Sequence, residues 1–188
     1  MRLIVGISGA TGAIYGIRTL EVLQQLGVET HLVISDAGKK TILLETGYDI
    51  QTIEKTAAEV HDIRNIGASI ASGSFKTDGM IIAPCSMKSL SAIANSYNEN
   101  LLIRAADVAI KEKRKLVLVV RETPLHLGHL QLMTKVAAVG GIILPPVPAY
   151  YNLPKTMDDI INHTVGKILD QFGLEHNLFS RWQGANSL

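Results

Sequence analysis

Along the chain, short continuously apolar runs alternate with longer stretches in which apolar residues recur every three or four positions. The runs "RLIVGI" (2–7), "ETHLVIS" (29–35), "GMIIAP" (79–84), "KLVLVV" (115–120) and "GIILPP" (141–146) have the length and β-branched content of buried strands. Pro84 is expected to stop the third of these, and "VHDIRNI" (60–66) reads as a short edge strand. Between them lie helical patterns. In "AIYGIRTLEVLQQLG" (13–27), Ile14, Ile17, Leu20, Leu23 and Leu26 share one face and Gly27 stands where a C-cap belongs. Further helices are predicted from Asp36 to about Thr46, from Gln51 to about Glu59, and over "SMKSLSAIAN" (86–95) with Ser86 near its N-cap. Others cover "NLLIRAADVAIKEKR" (100–114), "LGHLQLMTKVAAVGG" (127–141) and "TMDDIINHTVGKILDQFG" (156–173). "GASIASGSF" (67–75) reads as loop, as does "PPVPAYYNLP" (145–154), which holds four of the six prolines.

Strands apolar on both sides, alternating with helices, predict a parallel sheet covered on both faces. Its 188 residues suit one domain, 1–188, closed by a C-terminal helix and tail. In such sheets ligands collect outside the carboxyl ends of the strands, near the reversal of strand order. The residues just after each strand are therefore the ones that carry chemistry.

Composition narrows the choice. A net charge of +1 gives no basic face for nucleic acid. No run approaches the ~18–20 apolar residues of a membrane span, and the apolar start breaks into Gly and Ser too soon for a signal peptide. The single cysteine, Cys85, excludes an internal disulfide framework and suits a reducing compartment, so the expected location is cytoplasmic.

After the first strand, Gly6, Gly9 and Gly12 are spaced by three. A P-loop would end in Gly-Lys-Ser/Thr, and a dinucleotide fingerprint would read G-x-G-x-x-G, so neither matches, although Asp36 stands where a ribose-binding acid would. Gly9, Ala10 and Thr11 still place small residues, backbone N–H groups and a hydroxyl at a helix N-terminus, which favours a phosphate. The plainer alternative is a tight turn whose glycines serve packing alone. Other strand ends add Ser35, then Cys85, Ser86, Met87, Lys88 and Ser89, then Arg121 and Glu122. Hydroxyl and cationic donors on one edge suit FMN, with its single phosphate, better than the pyrophosphate of NAD.

"GISGATGAIYG", "PCSMKSLSAIANSYNENLLIRAADVAIKEKRKLVLVVRETPLHLGHL" and "PPVPAYYNLP" together resemble the UbiX-type flavin prenyltransferases, over nearly the whole chain. The resemblance implies a three-layer α/β/α Rossmann-like fold with about six parallel strands, and a homo-oligomer, in the family a dodecamer. It implies transfer of a dimethylallyl group from dimethylallyl monophosphate to reduced FMN. Isoprenoid diphosphate enzymes bind Mg²⁺ through aspartate-rich motifs, and here "DDIIN" (158–162) lacks the later acid, which favours metal-independent handling of a monophosphate. The prenylated FMN then serves a UbiD-type decarboxylase. The family pattern puts FMN against Gly9, Ala10, Thr11, Ser35, Ser86, Met87, Lys88, Ser89 and Arg121. It assigns the allylic phosphate to Tyr151 and Lys167, and catalysis to Glu45, Arg104, Lys111 and Glu122.

Several of these residues have plainer readings. Cys85 suits packing better than nucleophilic attack. His126 and His129 lack a third ligand in the sequence. Asp158 and Asp159 compensate a helix dipole. Arg104 and Asp107 can form an i,i+3 pair. Tyr150 and Tyr151, like Arg181 and Trp182, can anchor an interface or the tail. Rival functions are an FMN-dependent decarboxylase in its own right, a non-enzymatic FMN carrier, and an NAD-dependent reductase disfavoured by glycine spacing.

Overall fold

The computed structural model describes residues 1–184. Six parallel strands form one sheet: β1 (Arg2–Ile7), β2 (Glu29–Ile34), β3 (Glu59–His61), β4 (Gly79–Cys85), β5 (Lys115–Val120) and β6 (Ile142–Ile143). Their order is β3-β2-β1-β4-β5-β6, so strand order reverses between β1 and β4. The helices are α1 (Ala13–Gln25), α2 (Asp36–Glu45), α3 (Ile50–Glu54), α4 (Met87–Ala94), α5 (Leu101–Lys111), α6 (Leu127–Ala138) and α7 (Met157–Gln171). This is the three-layer α/β/α Rossmann-like arrangement expected from the alternation.

Alternation of side chains along each strand divides the core in two. Leu3, Val5 and Ile7 of β1 face α1 and α7, where Ile17, Leu20, Val165 and Leu169 pack with Ile42 of α2. Ile4 of β1, with Met80 and Ile82 of β4, faces Leu90 and Ile93 of α4 and Leu102 and Ala106 of α5. All of these lie at or below 5% exposure. Burial on both faces explains why these strands read as unbroken apolar runs rather than alternating ones.

The boundaries differ from the sequence reading where tertiary contacts override local preference. Pro84 does not end its strand: β4 continues through a cis Ala83–Pro84 bond to Cys85, and the pairing with β5 shifts register there. A proline lacks only the N–H, and at an irregular step of the ladder that donor is not required. The helix expected over Gln51–Glu59 is one short turn, α3, because the chain must turn back to lay β3 beside β2. Within "GASIASGSF", Ser69–Ala71 forms a 3₁₀ turn. Elsewhere the local signals act as read. Gly27 follows α1 with φ 67°, Ser86 caps α4, and Thr156 with Asp159 forms a capping box on α7.

Gly16 brings α1 onto the sheet, since a Cβ there would collide with the carbonyl oxygen of Ala83 and with Ile7. The substitution Gly16→Ala is expected to cost about 2–3 kcal/mol by overpacking, read as a lower urea midpoint. Alanine at exposed Gly27, where nothing lies in the way, should cost about 1 kcal/mol for its positive φ alone.

Candidate functional site at the carboxyl edge of the sheet

Main-chain and side-chain bonds lace the carboxyl ends of four strands together. The Ser35 N–H, just past β2, donates to Ile7 O of β1 at 3.0 Å. The Ser8 hydroxyl donates to Pro84 O at 2.8 Å and accepts from the Ser86 N–H at 2.7 Å, tying β1 to β4 at the reversal point. The Arg121 N–H donates to Cys85 O at 3.2 Å, tying β5 to β4. Sequence reasoning passed over Ser8. Its signal was a lone hydroxyl closing an apolar run, which at 1% exposure must find partners.

Three helices begin on this edge. Gly12 takes φ 96° at the start of α1, a conformation that only glycine adopts cheaply. Its N–H donates to the Glu45 carboxylate at 2.7 Å, so the end of α2 returns an anion to the positive end of α1. The Ser35 hydroxyl caps α2 through Gly38 N–H at 2.9 Å. The Ser86 hydroxyl caps α4 through Ser89 N–H at 3.2 Å and donates to the Ser89 hydroxyl at 3.1 Å. Gly9 is explained by packing, because a Cβ there would strike Ala37 of α2. The glycines therefore shape the turn, and the case for a ligand rests on the donors around it.

On this edge, beginning at Thr11 and Gly12, lies a cavity of about 750 Å³, within the size range of small-molecule and cofactor sites. Thr11, Tyr15, Glu45, Arg121 and Glu122 supply its polar wall, and Pro145 to Pro148 with Met157 supply an apolar one. Burial pushes the Tyr15 phenol up, opposed by a Thr164 hydrogen bond and the Arg121 charge. The phenol thus stays a proton-bearing donor at neutral pH. Glu122 accepts from the Thr123 N–H at 2.9 Å, which holds its carboxylate at the rim.

A profile of the Flavoprotein family matches residues 1–169. A curated relative from Thauera aromatica, named flavin prenyltransferase UbiX, is 65% identical over 98% of this chain and 95% of its own. A solved structure from Escherichia coli O157:H7, described as a dodecameric FMN-dependent UbiX-like decarboxylase, superposes with TM-score 0.96 at 51% identity, covering 98% of this chain and 100% of that one. AnUbiX in complex with FMN and dimethylallyl pyrophosphate superposes with TM-score 0.96 at 47% identity, covering 97% of both chains. The chain belongs to the UbiX flavin prenyltransferase family.

Within this flavin prenyltransferase fold, the residues singled out from sequence divide into three groups. Thr11, Glu45, Arg121 and Glu122 border the cavity, and Gly9 and Ala10 complete the turn beside it. Ser35, Ser86 and Ser89 sit at neighbouring strand ends on the same edge, with Met87 half-buried against the α4–α5 core and Lys88 paired to Glu99 at 3.2 Å. Arg104, Lys111, Tyr151 and Lys167 are not among the cavity's lining. Arg104 donates to Ala71 O and pairs with Asp107 at 3.1 Å. Lys111, at the end of α5, pairs with Glu112 four residues before β5 begins, so it lies at the amino edge of the sheet.

Tyr151 and Lys167 belong to the α7 side. The Tyr151 hydroxyl meets His163 Nε2 at 3.0 Å, and Lys167 pairs with Asp170 at 3.4 Å. Asp170 also receives Arg181 at 2.7 Å and His176 at 3.2 Å, which pins the tail to α7. These partners, Arg181 foremost, hold its carboxyl well down, at about 2. Cys85 is fully buried and its thiol is pushed up to about 12, so it packs and does not attack.

The Ser8→Ala variant strands the Ser86 N–H, while Pro84 O keeps its bond from the Ser8 N–H at 3.2 Å, and should lose about 1–3 kcal/mol in urea unfolding. Asp170 contributes stability that is present above its unfolded pKa and is lost as pH falls towards 2. The stability difference between the wild type and Asp170→Asn should therefore shrink between about pH 4 and pH 2 in denaturation series.

Proposed function

We propose that this chain transfers a dimethylallyl group from dimethylallyl monophosphate to N5 and C6 of reduced FMN, and that the product serves a UbiD-type decarboxylase. Identity of 65% to a protein named flavin prenyltransferase, over nearly the whole of both chains, carries the reading. The donor chemistry of the cavity fits the flavin: hydroxyls and helix N-termini for its phosphate, and a guanidinium and a phenol for its ring system. Bound there, reduced FMN supplies the nucleophile.

The chain's own groups do the rest. Ser35, Ser86 and Ser89 sit at helix starts, where a phosphate is favoured. Arg121 offers a fixed cation at the cavity wall. Glu45 and Glu122 are the carboxylates placed to accept the proton released when the second bond closes at C6. The proline wall and Met157 offer an apolar surface of the kind an allylic centre of developing positive charge requires. The leaving phosphate needs cations. Tyr151 and Lys167 are the family's candidates on the α7 side, and Arg104 and Lys111 its candidates on α5. Because Lys111 lies at the opposite edge of the sheet within one chain, it can serve only a site on another copy. That favours a homo-oligomer, and the similar E. coli protein is described as dodecameric. No metal is needed for these roles, and a reducing cytoplasm suits the reduced flavin. Among the described residues no helix is long and apolar enough to cross a membrane.

Protein, reduced FMN and dimethylallyl monophosphate with a chelator should yield a flavin of increased mass by mass spectrometry; unmodified FMN as the sole flavin would overturn the reading. Glu45→Gln and Lys111→Ala should each lower turnover by about 100-fold or more while FMN binding changes little. Subunits of the two variants, mixed and reassembled, should regain part of the activity, since some sites then draw both groups from intact copies. The description of the E. coli structure favours a second reading, an FMN-dependent decarboxylase. Release of CO₂ from cinnamate-type acids by this protein alone would establish it.

A further inference from the structure

Outside the lining of the carboxyl-edge cavity, the β2–β3 edge gathers His31, Glu59 and His61 on one face of the sheet. The pairing register sets His31 opposite Glu59 and Val33 opposite His61. Side chains two apart on a strand share a face, so these three converge. Their nearest donor atoms all lie within 4.8 Å of one another. His31 Nδ1 is 2.9 Å from His61 Nε2 and 3.4 Å from Glu59 Oε2. Both histidines are buried, at 2% and 7% exposure, while Glu59 reaches solvent.

The other side of His31 is already organised. Its Nε2 lies 3.1 Å from Glu29, whose carboxylate is held by Arg2 at 2.7 Å. In the tautomer that donates from Nε2 to Glu29, Nδ1 turns a bare lone pair towards His61 and Glu59. This is the outer-shell arrangement that orients a histidine ligand. His61 Nδ1 faces the Glu59 carboxylate at 3.6 Å.

We propose that His31, Glu59 and His61 bind a divalent transition cation of the Zn²⁺ class, with water from the exposed edge as a fourth ligand. Two imidazoles and a carboxylate are donors of the kind such ions take. Tetrahedral ligands at about 2.0–2.1 Å stand roughly 3.3 Å apart. The observed 2.9 Å and 3.4 Å are thus met by small side-chain movements. The role is structural: the ion fastens a three-residue edge strand to β2, and the site is separate from the flavin chemistry.

The test uses full-length protein stripped with a chelator and titrated with Zn²⁺ by calorimetry, and with Co²⁺ by visible absorption. One equivalent per chain with micromolar or tighter Kd is expected, with a tetrahedral Co²⁺ spectrum and a higher Tm with Zn²⁺. Glu59→Gln, at a half-exposed edge position, and His61→Gln should each weaken binding by more than tenfold and abolish the Tm rise. Glu29→Gln should weaken it by about tenfold. Circular dichroism and retained FMN binding would show that the variants fold. Absence of binding by the wild type at 100 µM-scale (~) metal, or binding unchanged in both Glu59→Gln and His61→Gln, overturns the proposal.

Discussion

The Ser8 hydroxyl, bonded to Pro84 O and to the Ser86 N–H, holds β1 and β4 together where the sheet changes direction. On either side of that bridge the chain departs to opposite faces, to α1 with α7 and to α4 with α5. A crevice necessarily opens between them. The bridge is buried and charge-free, so it holds its geometry without depending on pH or salt. The helix starts at Gly12 and Ser86 inherit their positions from it.

Electrostatics at this edge follow from backbone direction. Each strand that runs into a helix leaves unpaired N–H groups at its carboxyl end, and the protein answers them with short oxygen-bearing groups: Ser35, Ser86 and the carboxylate of Glu45. Arg121 adds the cation that backbone dipoles alone do not supply. The amino edge has the opposite character, with Arg2, Lys111, Arg114 and Lys115 engaged by Glu29, Glu112, Gly73 O and Gln171 O. One sheet thus presents two chemically distinct rims. An assembly that brings the rim of one copy to the crevice of another would combine them.

The sequence showed the strands, the caps and the carboxyl-edge donors because each is a local matter. An apolar run of six residues, a serine before a helix and a glycine with positive φ are legible within one turn of chain. Pro84 misled because a strand was judged without its neighbours, and the register shift that accommodates it exists only in the sheet. Ser8 was overlooked because its partners lie about 76 positions away in the chain. A separation of 30 residues likewise hid the histidine pair at 31 and 61, which no spacing rule connects.

By itself, then, the order of apolar and polar residues determined a doubly covered parallel sheet and the edge on which its chemistry would collect, since burial periodicity and capping act over a few residues. Only the tertiary structure decided which of the suspected side chains meet. Glu45 reaches the N–H of Gly12, whereas Lys111 ends up at the far rim, because α5 runs antiparallel to the strands and carries its last turn away from the crevice. Helix direction relative to the sheet is a property of packing, and no local pattern of residues states it.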